Sequence, residues 1–156
     1  MVRPSLSAKV LTALAGRRLA TAESLTGGGI GAAITSVSGA SAVFAGGVIS
    51  YTNEVKNQVL GVPMEVLNTC GAVSAPVAQA MAEGARRVIG ADVAVAVTGL
   101  AGPDGDEFGN PVGTVFIGYA DGQTAFAREY HFSGDRAQVR EQTIEAALAL
   151  VLEMNQ

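Results

Sequence analysis

Thr21-Ala22-Glu23-Ser24-Leu25-Thr26-Gly27-Gly28-Gly29-Ile30-Gly31 is the stretch on which the reading of the whole chain turns. An apolar run, Leu19 to Ala22, enters it with the length of a buried strand, and Ile30 to Val37 leaves it as a helix. A strand that passes through hydroxyl residues and glycines into a helix lets backbone come close to a ligand. The free N–H groups of the helix start then face any anion placed there. Ser24 and Thr26 stand at the mouth of that turn. Serine and threonine are also ordinary helix caps, and glycine is ordinary in turns. The stretch alone therefore leaves a catalytic and a capping role for Ser24 both open.

Upstream, Ser5 to Ala15 reads as an amphipathic helix with Leu6, Val10 and Leu14 on one stripe and a stop at Gly16. Downstream, Phe44 to Tyr51 reads as a second strand. Its Gly46-Gly47 pair weakens it and marks the close approach of a backbone or a ligand. Thr52 caps a helix from Asn53 to Leu60, which makes Tyr51 the residue before the cap and Lys56 the fourth helical residue, the two positions that meet in a staple. Helices from Met64 to Thr69 and from Ser74 to Ile89 follow, the second opened by Pro76. Val93 to Val97 alternates valine and alanine like a strand buried on both faces. A loop from Thr98 to Pro111 leads to strands Val112 to Ala120 and Thr124 to Phe132, joined at Asp121-Gly122, and Arg136 to about Met154 closes the chain as a helix. This alternation predicts one domain over residues 1–156, a three-layer α/β/α sandwich with a mixed, mostly parallel sheet. Loops leaving the strands at Ser24, Tyr51 and Thr98 should converge on a crevice, where open α/β sheets bind ligands.

The totals agree with that architecture and narrow the chemistry. A chain of 156 residues that is 49% hydrophobic buries a full core, and only 15% charged residues, with 20 glycines, suggest close-packed layers and a further apolar surface between subunits. The net charge of −4 and the absence of any basic cluster beyond Arg17-Arg18 or Arg86-Arg87 argue against nucleic acid. The single cysteine, Cys70, and the single histidine, His131, supply neither an intrachain disulfide nor a zinc set. With no apolar start and no run long enough to span a bilayer, the expected location is the cytoplasm, away from membranes.

Nucleophilic catalysis needs a hydroxyl, a group to take its proton, and donors for the oxyanion. His131, on a late hairpin strand, reads as an ordinary strand residue, which leaves Lys56 and Tyr51 as candidate bases. An unperturbed lysine is a cation at neutral pH, so burial or another cation must lower its pKa before it can act. Ser133-Gly134-Asp135-Arg136 suggests a second site: Asp135 and Gln138 fit a capping box, with Arg136 and Arg140 one turn apart near the positive end of the helix. A phosphate or carboxylate would offset that placement, as would pairing with Glu141 or other surface acids. Asp104, Asp106 and Glu107 lack the rhythm of a calcium hand and read as a solvated acidic loop.

Ala22-Glu23-Ser24-Leu25-Thr26-Gly27-Gly28 and the run from Phe44 through Gly46-Gly47 and Tyr51 to Lys56 together resemble the CinA C-terminal domain family. Leu60-Gly61-Val62-Pro63, Gly71-Ala72-Val73-Ser74, Ala96 to Pro103 and Pro111 to Val115 continue the likeness in order over nearly the whole chain. The resemblance implies a nicotinamide-nucleotide amidase that turns nicotinamide mononucleotide into nicotinate mononucleotide and ammonia in pyridine-nucleotide salvage, commonly as a homodimer, with neither cofactor nor metal. It places the nucleophile on Ser24 and the motif tyrosine and lysine on Tyr51 and Lys56. Expected substrate contacts are Thr26, Gly27, Gly28, Gly46, Gly47, Thr98, Gly99, Arg136 and Arg140, with the oxyanion near Gly27 and Gly28 or near Thr98 and Gly99. The loop after Pro103 departs from the family, which often has more glycine at Asp104 and lysine at Asn110. The competing class is a nucleotide-binding or regulatory module that kept the pocket and lost turnover.

Overall fold

The computed structural model describes residues 5–156. Its strands are β1 (Leu19–Glu23), β2 (Phe44–Ile49), β3 (Val93–Gly99), β4 (Thr114–Ala120) and β5 (Ala125–His131). Its helices are α1 (Leu6–Ala13), α2 (Gly29–Thr35), α3 (Asn53–Gln58), α4 (Met64–Cys70), α5 (Ala75–Ile89) and α6 (Arg136–Met154), with a 3-10 turn at Ala40–Ala42. The strands form one sheet in the order β2-β1-β3-β4-β5. β1 pairs in parallel with β2 and β3, whereas β3–β4 and β4–β5 are antiparallel, so four of the five strands run the same way. The sheet is mixed because β4 alone runs against the other four strands.

Residue type explains the two covered faces. Val93, Val95 and Val97 of β3 turn toward α1, α2 and α6, in a core with Leu14, Ile30, Ile34, Ile117 and Val151. Ala94 and Ala96 turn the other way, in a core with Leu60, Leu67, Val77 and Met81 from the α3–α5 side. Small residues dominate that second face because α5 lies very near the sheet and the neighbouring chain. A side chain at Gly84 would overlap the Leu60 carbonyl, and one at Gly118 would overlap the Ala78 carbonyl.

Several element ends differ from the sequence reading by one or two residues, within ordinary end fraying. β4 begins at Thr114 rather than Val112, because Gly113 takes a positive φ and its N–H donates to Leu100 O at 2.8 Å, which turns the chain before pairing starts. As expected, Thr52 accepts from Val55 N and Asp135 with Gln138 closes the capping box; Ser5 caps α1 by accepting from Ala8 N. No helix among the described residues is long and apolar enough to cross a membrane.

Candidate active site

Side-chain alternation divides the roles of adjacent residues at the end of β1. Ala20 and Ala22 face the α5 side, so Ser24 continues toward that face while Glu23 turns to α2. The two buried carboxylate oxygens of Glu23 accept from Thr26 Oγ1 at 2.5 Å, Ile30 N at 2.8 Å and Gly31 N at 3.0 Å. The open helix start expected to receive a ligand's anion is thus filled by the chain's own acid. Glu23 is the functional-site residue that sequence reasoning passed over, although its signal was present as an acid just before a glycine-rich helix start. Gly28, at φ 104°, supplies the left-handed turn that brings Ile30 and Gly31 back over it.

Ser24 is buried, and its Oγ lies 3.0 Å from Lys56 Nζ. Lys56 is only 1% exposed, and its Nζ also donates to Ser50 O at 2.7 Å and Tyr51 O at 3.2 Å. The staple geometry therefore brings the amine to Tyr51 through the tyrosine's carbonyl rather than its ring. Burial with no ion-pair partner pulls the Lys56 pKa from the ordinary 10.5 down to about 8. About a tenth of molecules would then carry the neutral amine at pH 7. In that form two N–H groups serve the two carbonyls and the lone pair is free to accept the Ser24 O–H, the arrangement a general base requires.

The three expected strand ends do meet. A cavity of about 370 Å³ is lined by Ser24, Lys56, Tyr51, Thr98 and Gly99, together with Asp104 and Arg136. Tyr51 is 61% exposed, and its phenol oxygen is 3.4 Å from Arg136 Nη2. Arg136 Nη1 donates to Gly102 O at 2.7 Å, so one guanidinium spans the β2–α3 corner and the loop after β3. Arg140 does something different. Its Nε and Nη2 donate to Leu25 O at 2.9 Å and Thr26 O at 3.2 Å, bracing the serine turn from behind. Neither arginine is paired with Glu141.

Other expected contacts fall outside the cavity lining. Thr26 is buried on Glu23, and the Gly27 N–H is taken by Ser24 O at 3.2 Å. Gly47 lies in register with Thr21, and a side chain there would overlap the Thr21 hydroxyl. The close approach announced by the glycine pair is therefore made at Gly47, strand against strand. Thr98 lines the cavity but donates its hydroxyl to Ala72 O at 2.8 Å, fixing the far wall. The N–H of Leu25, directly after Ser24, has no acceptor among the described residues, and Leu25 is one of the residues that line the cavity. Asp106 organises the loop beyond Pro103 by accepting from Phe108 N, Asn110 N and Asn110 Nδ2, while Asn110 Nδ2 also reaches Val73 O. His131 is exposed on β5 and paired with Glu129 at 2.6 Å. Among the described residues no three His, Cys, Asp or Glu side chains gather as a metal set would.

A mixed α/β domain whose strand ends hold a serine–lysine pair in a crevice edged by arginine is the class that fold and site define. The family model of the CinA C-terminal domain matches residues 4–155, and the chain belongs to that family. It is 48% identical over 137 residues to a nicotinamide-nucleotide amidohydrolase, PncC, of Pseudomonas putida, covering 88% of this chain and 86% of that one. It is 51% identical over 135 residues to a CinA-like protein of Geobacter sulfurreducens, covering 86% of this chain and 32% of that protein. The chain thus spans about a third of the length of such CinA-like relatives. Among solved structures, a CinA superfamily protein of Klebsiella pneumoniae superposes with a TM-score of 0.92 at 37% identity, covering 95% of this chain and 94% of that one. A competence or damage-inducible protein of Enterobacter asburiae does so with 0.94 at 33% identity, covering 97% and 96%.

Proposed function

We propose that this protein is a nicotinamide-nucleotide amidohydrolase that converts nicotinamide mononucleotide to nicotinate mononucleotide and ammonia through a serine nucleophile. The observation that carries the reading is the 3.0 Å contact between Ser24 Oγ and an amine whose pKa burial has lowered to about 8. Ser24 Oγ attacks the carboxamide carbon as its proton passes to Lys56 Nζ, and the carbonyl π pair moves to oxygen. In this reading the Leu25 N–H, which has no partner among the described residues, takes that oxyanion. Collapse breaks the C–N bond while the Lys56 ammonium returns the proton to the departing nitrogen, releasing ammonia and a nicotinoyl ester on Ser24. Water, deprotonated by the regenerated amine, cleaves the ester. Arg136, the arginine on the cavity, takes the 5′-phosphate end. Tyr51 forms part of the wall beside it. The reaction as written uses no cofactor or metal, and the working form is a homodimer or higher homo-oligomer acting on a small molecule in the cytoplasm.

Ammonia release from nicotinamide mononucleotide, measured beside Ser24→Ala and Lys56→Ala with chelator present, tests the proposal. Turnover lost in both variants, with circular dichroism unchanged, is the expected result. Turnover that survives Ser24→Ala removes the nucleophile assignment. A parent protein that binds the nucleotide without releasing ammonia makes the chain a binding module instead.

A further inference from the structure

Ser50 Oγ is the one buried side-chain oxygen or nitrogen among the described residues that has no hydrogen-bond partner. Buried hydroxyls without partners are rare enough in native proteins to require an explanation. This one belongs to the residue whose carbonyl holds Lys56 Nζ at 2.7 Å. Covalent geometry keeps a serine hydroxyl within about 5 Å of its own carbonyl oxygen, so Oγ lies in the region of the amine although it makes no hydrogen bond to it. The register places it there too. Glu23 pairs with Ile49, and Ser50 N donates to Glu23 O at 2.8 Å, so Ser50 is the residue laterally adjacent to Ser24.

Counting donors shows what the hydroxyl is for. A neutral amine at Lys56 is saturated, with two N–H groups on Ser50 O and Tyr51 O and its lone pair on the Ser24 O–H. Once Ser24 Oγ has bonded to carbon and given up its proton, the ammonium has three N–H groups and only the two carbonyls as good acceptors. We propose that Ser50 is a positioning residue for Lys56: its hydroxyl turns to accept the third N–H of the ammonium formed when Ser24 reacts, and holds it until that proton passes to the departing nitrogen. Ser50 is fully buried and does not line the cavity, so it acts through Lys56 and never touches substrate. No other group competes for this role. Tyr51, Asp104 and Arg136 line the cavity, Glu54 and Glu65 stand on α3 and α4, and Glu23, at the end of β1, faces α2; none forms an ion pair with Lys56.

The inference rests on the serine–lysine reading, but its test does not depend on turnover. The chain has two lysines, Lys9 and Lys56, so lysine labelled with ¹³C gives two resonances, with exposed Lys9 as internal reference. Titration of Ser24→Ala isolates the ammonium from the nucleophile. In Ser24→Ala/Ser50→Ala the Lys56 midpoint should fall by about one unit, a tenfold change expected for loss of a hydrogen bond to a charged group. Thermal stability should not drop at alkaline pH, where the amine is neutral and the hydroxyl removed has no partner. Ser50→Cys, which fills the site with a weak acceptor, should move the midpoint the same way and serves if the alanine variant folds poorly. A Lys56 midpoint equal in the presence and absence of the Ser50 hydroxyl overturns the proposal. In the otherwise unaltered protein, Ser50→Ala should lower kcat about tenfold with KM unchanged. A parent without turnover would overturn the amidohydrolase reading and leave the titration to decide this one.

Discussion

Lys56→Met should flatten the alkaline part of the protein's stability curve. In the folded state burial lowers the Lys56 pKa from 10.5 to about 8. Between those values the unfolded chain binds the proton and the folded chain does not, so stability rises with pH across that window. Below it both states are protonated, and the gain is absent. Above it the gain is complete, at 1.36 kcal/mol for each of the 2.5 units, about 3 kcal/mol. Methionine removes the titration and keeps an unbranched side chain of similar length. It also strips the Ser50 and Tyr51 carbonyls of their donor, but that loss is the same at every pH and cancels in the slope. Tyrosine ionisation, including that of Tyr119, which burial pushes up to about 12, is common to both proteins. Urea unfolding followed by circular dichroism suits a chain without tryptophan. The stability difference, parent minus Lys56→Met, should grow by about 3 kcal/mol from neutral pH to pH 10.5. Parallel curves would show that Lys56 titrates as an exposed lysine does, and the case for it as a base at neutral pH would fail.

Glu23→Gln should cost about 2 kcal/mol, since an amide N–H₂ replaces one of the oxygens facing two backbone donors and a hydroxyl. The melting temperature should fall by about 4–8 °C, and a variant as stable as the parent would show that the acid is not holding α2. Gly84→Ala ordinarily stabilises a helix by up to about 1 kcal/mol. Here the added carbon meets the Leu60 carbonyl, so the substitution should instead destabilise by about 1–3 kcal/mol in urea unfolding. Arg136→Ala should raise KM for nicotinamide mononucleotide about tenfold, the loss of one charge-assisted contact, with kcat little changed. Arg140→Ala should do the reverse, lowering kcat by loosening the Leu25 and Thr26 carbonyls; equal KM effects from the two would erase the distinction between them.

The layers were legible because their signals are local. Apolar runs at Leu19 and Val93, the turn at Asp121-Gly122 and the capping box at Asp135 each declare an element within a few residues. The convergence of Ser24, Tyr51, Lys56 and Thr98 followed from the loops that strand order brings to one edge. What could not be read was which polar groups satisfy each other. The occupant of the α2 start is set by the turn of Glu23 toward α2, the division of labour between Arg136 and Arg140 by one helical turn, and the neighbour of Gly47 by inter-strand register. Each depends on distances across the fold, and composition and spacing leave those free.

The carbonyls that hold Lys56 follow directly from β2, an edge strand bonded to the sheet on one side only. Edge elements open at a lower free energy than the core, by local excursions rather than global unfolding. Amide exchange in Phe44–Ile49 should therefore outpace that in Val93–Gly99. Each such opening releases the amine to water, where it regains its proton. Heat should accordingly inactivate the protein some degrees before the central sheet melts, and recovery on cooling should be as fast as one strand can close.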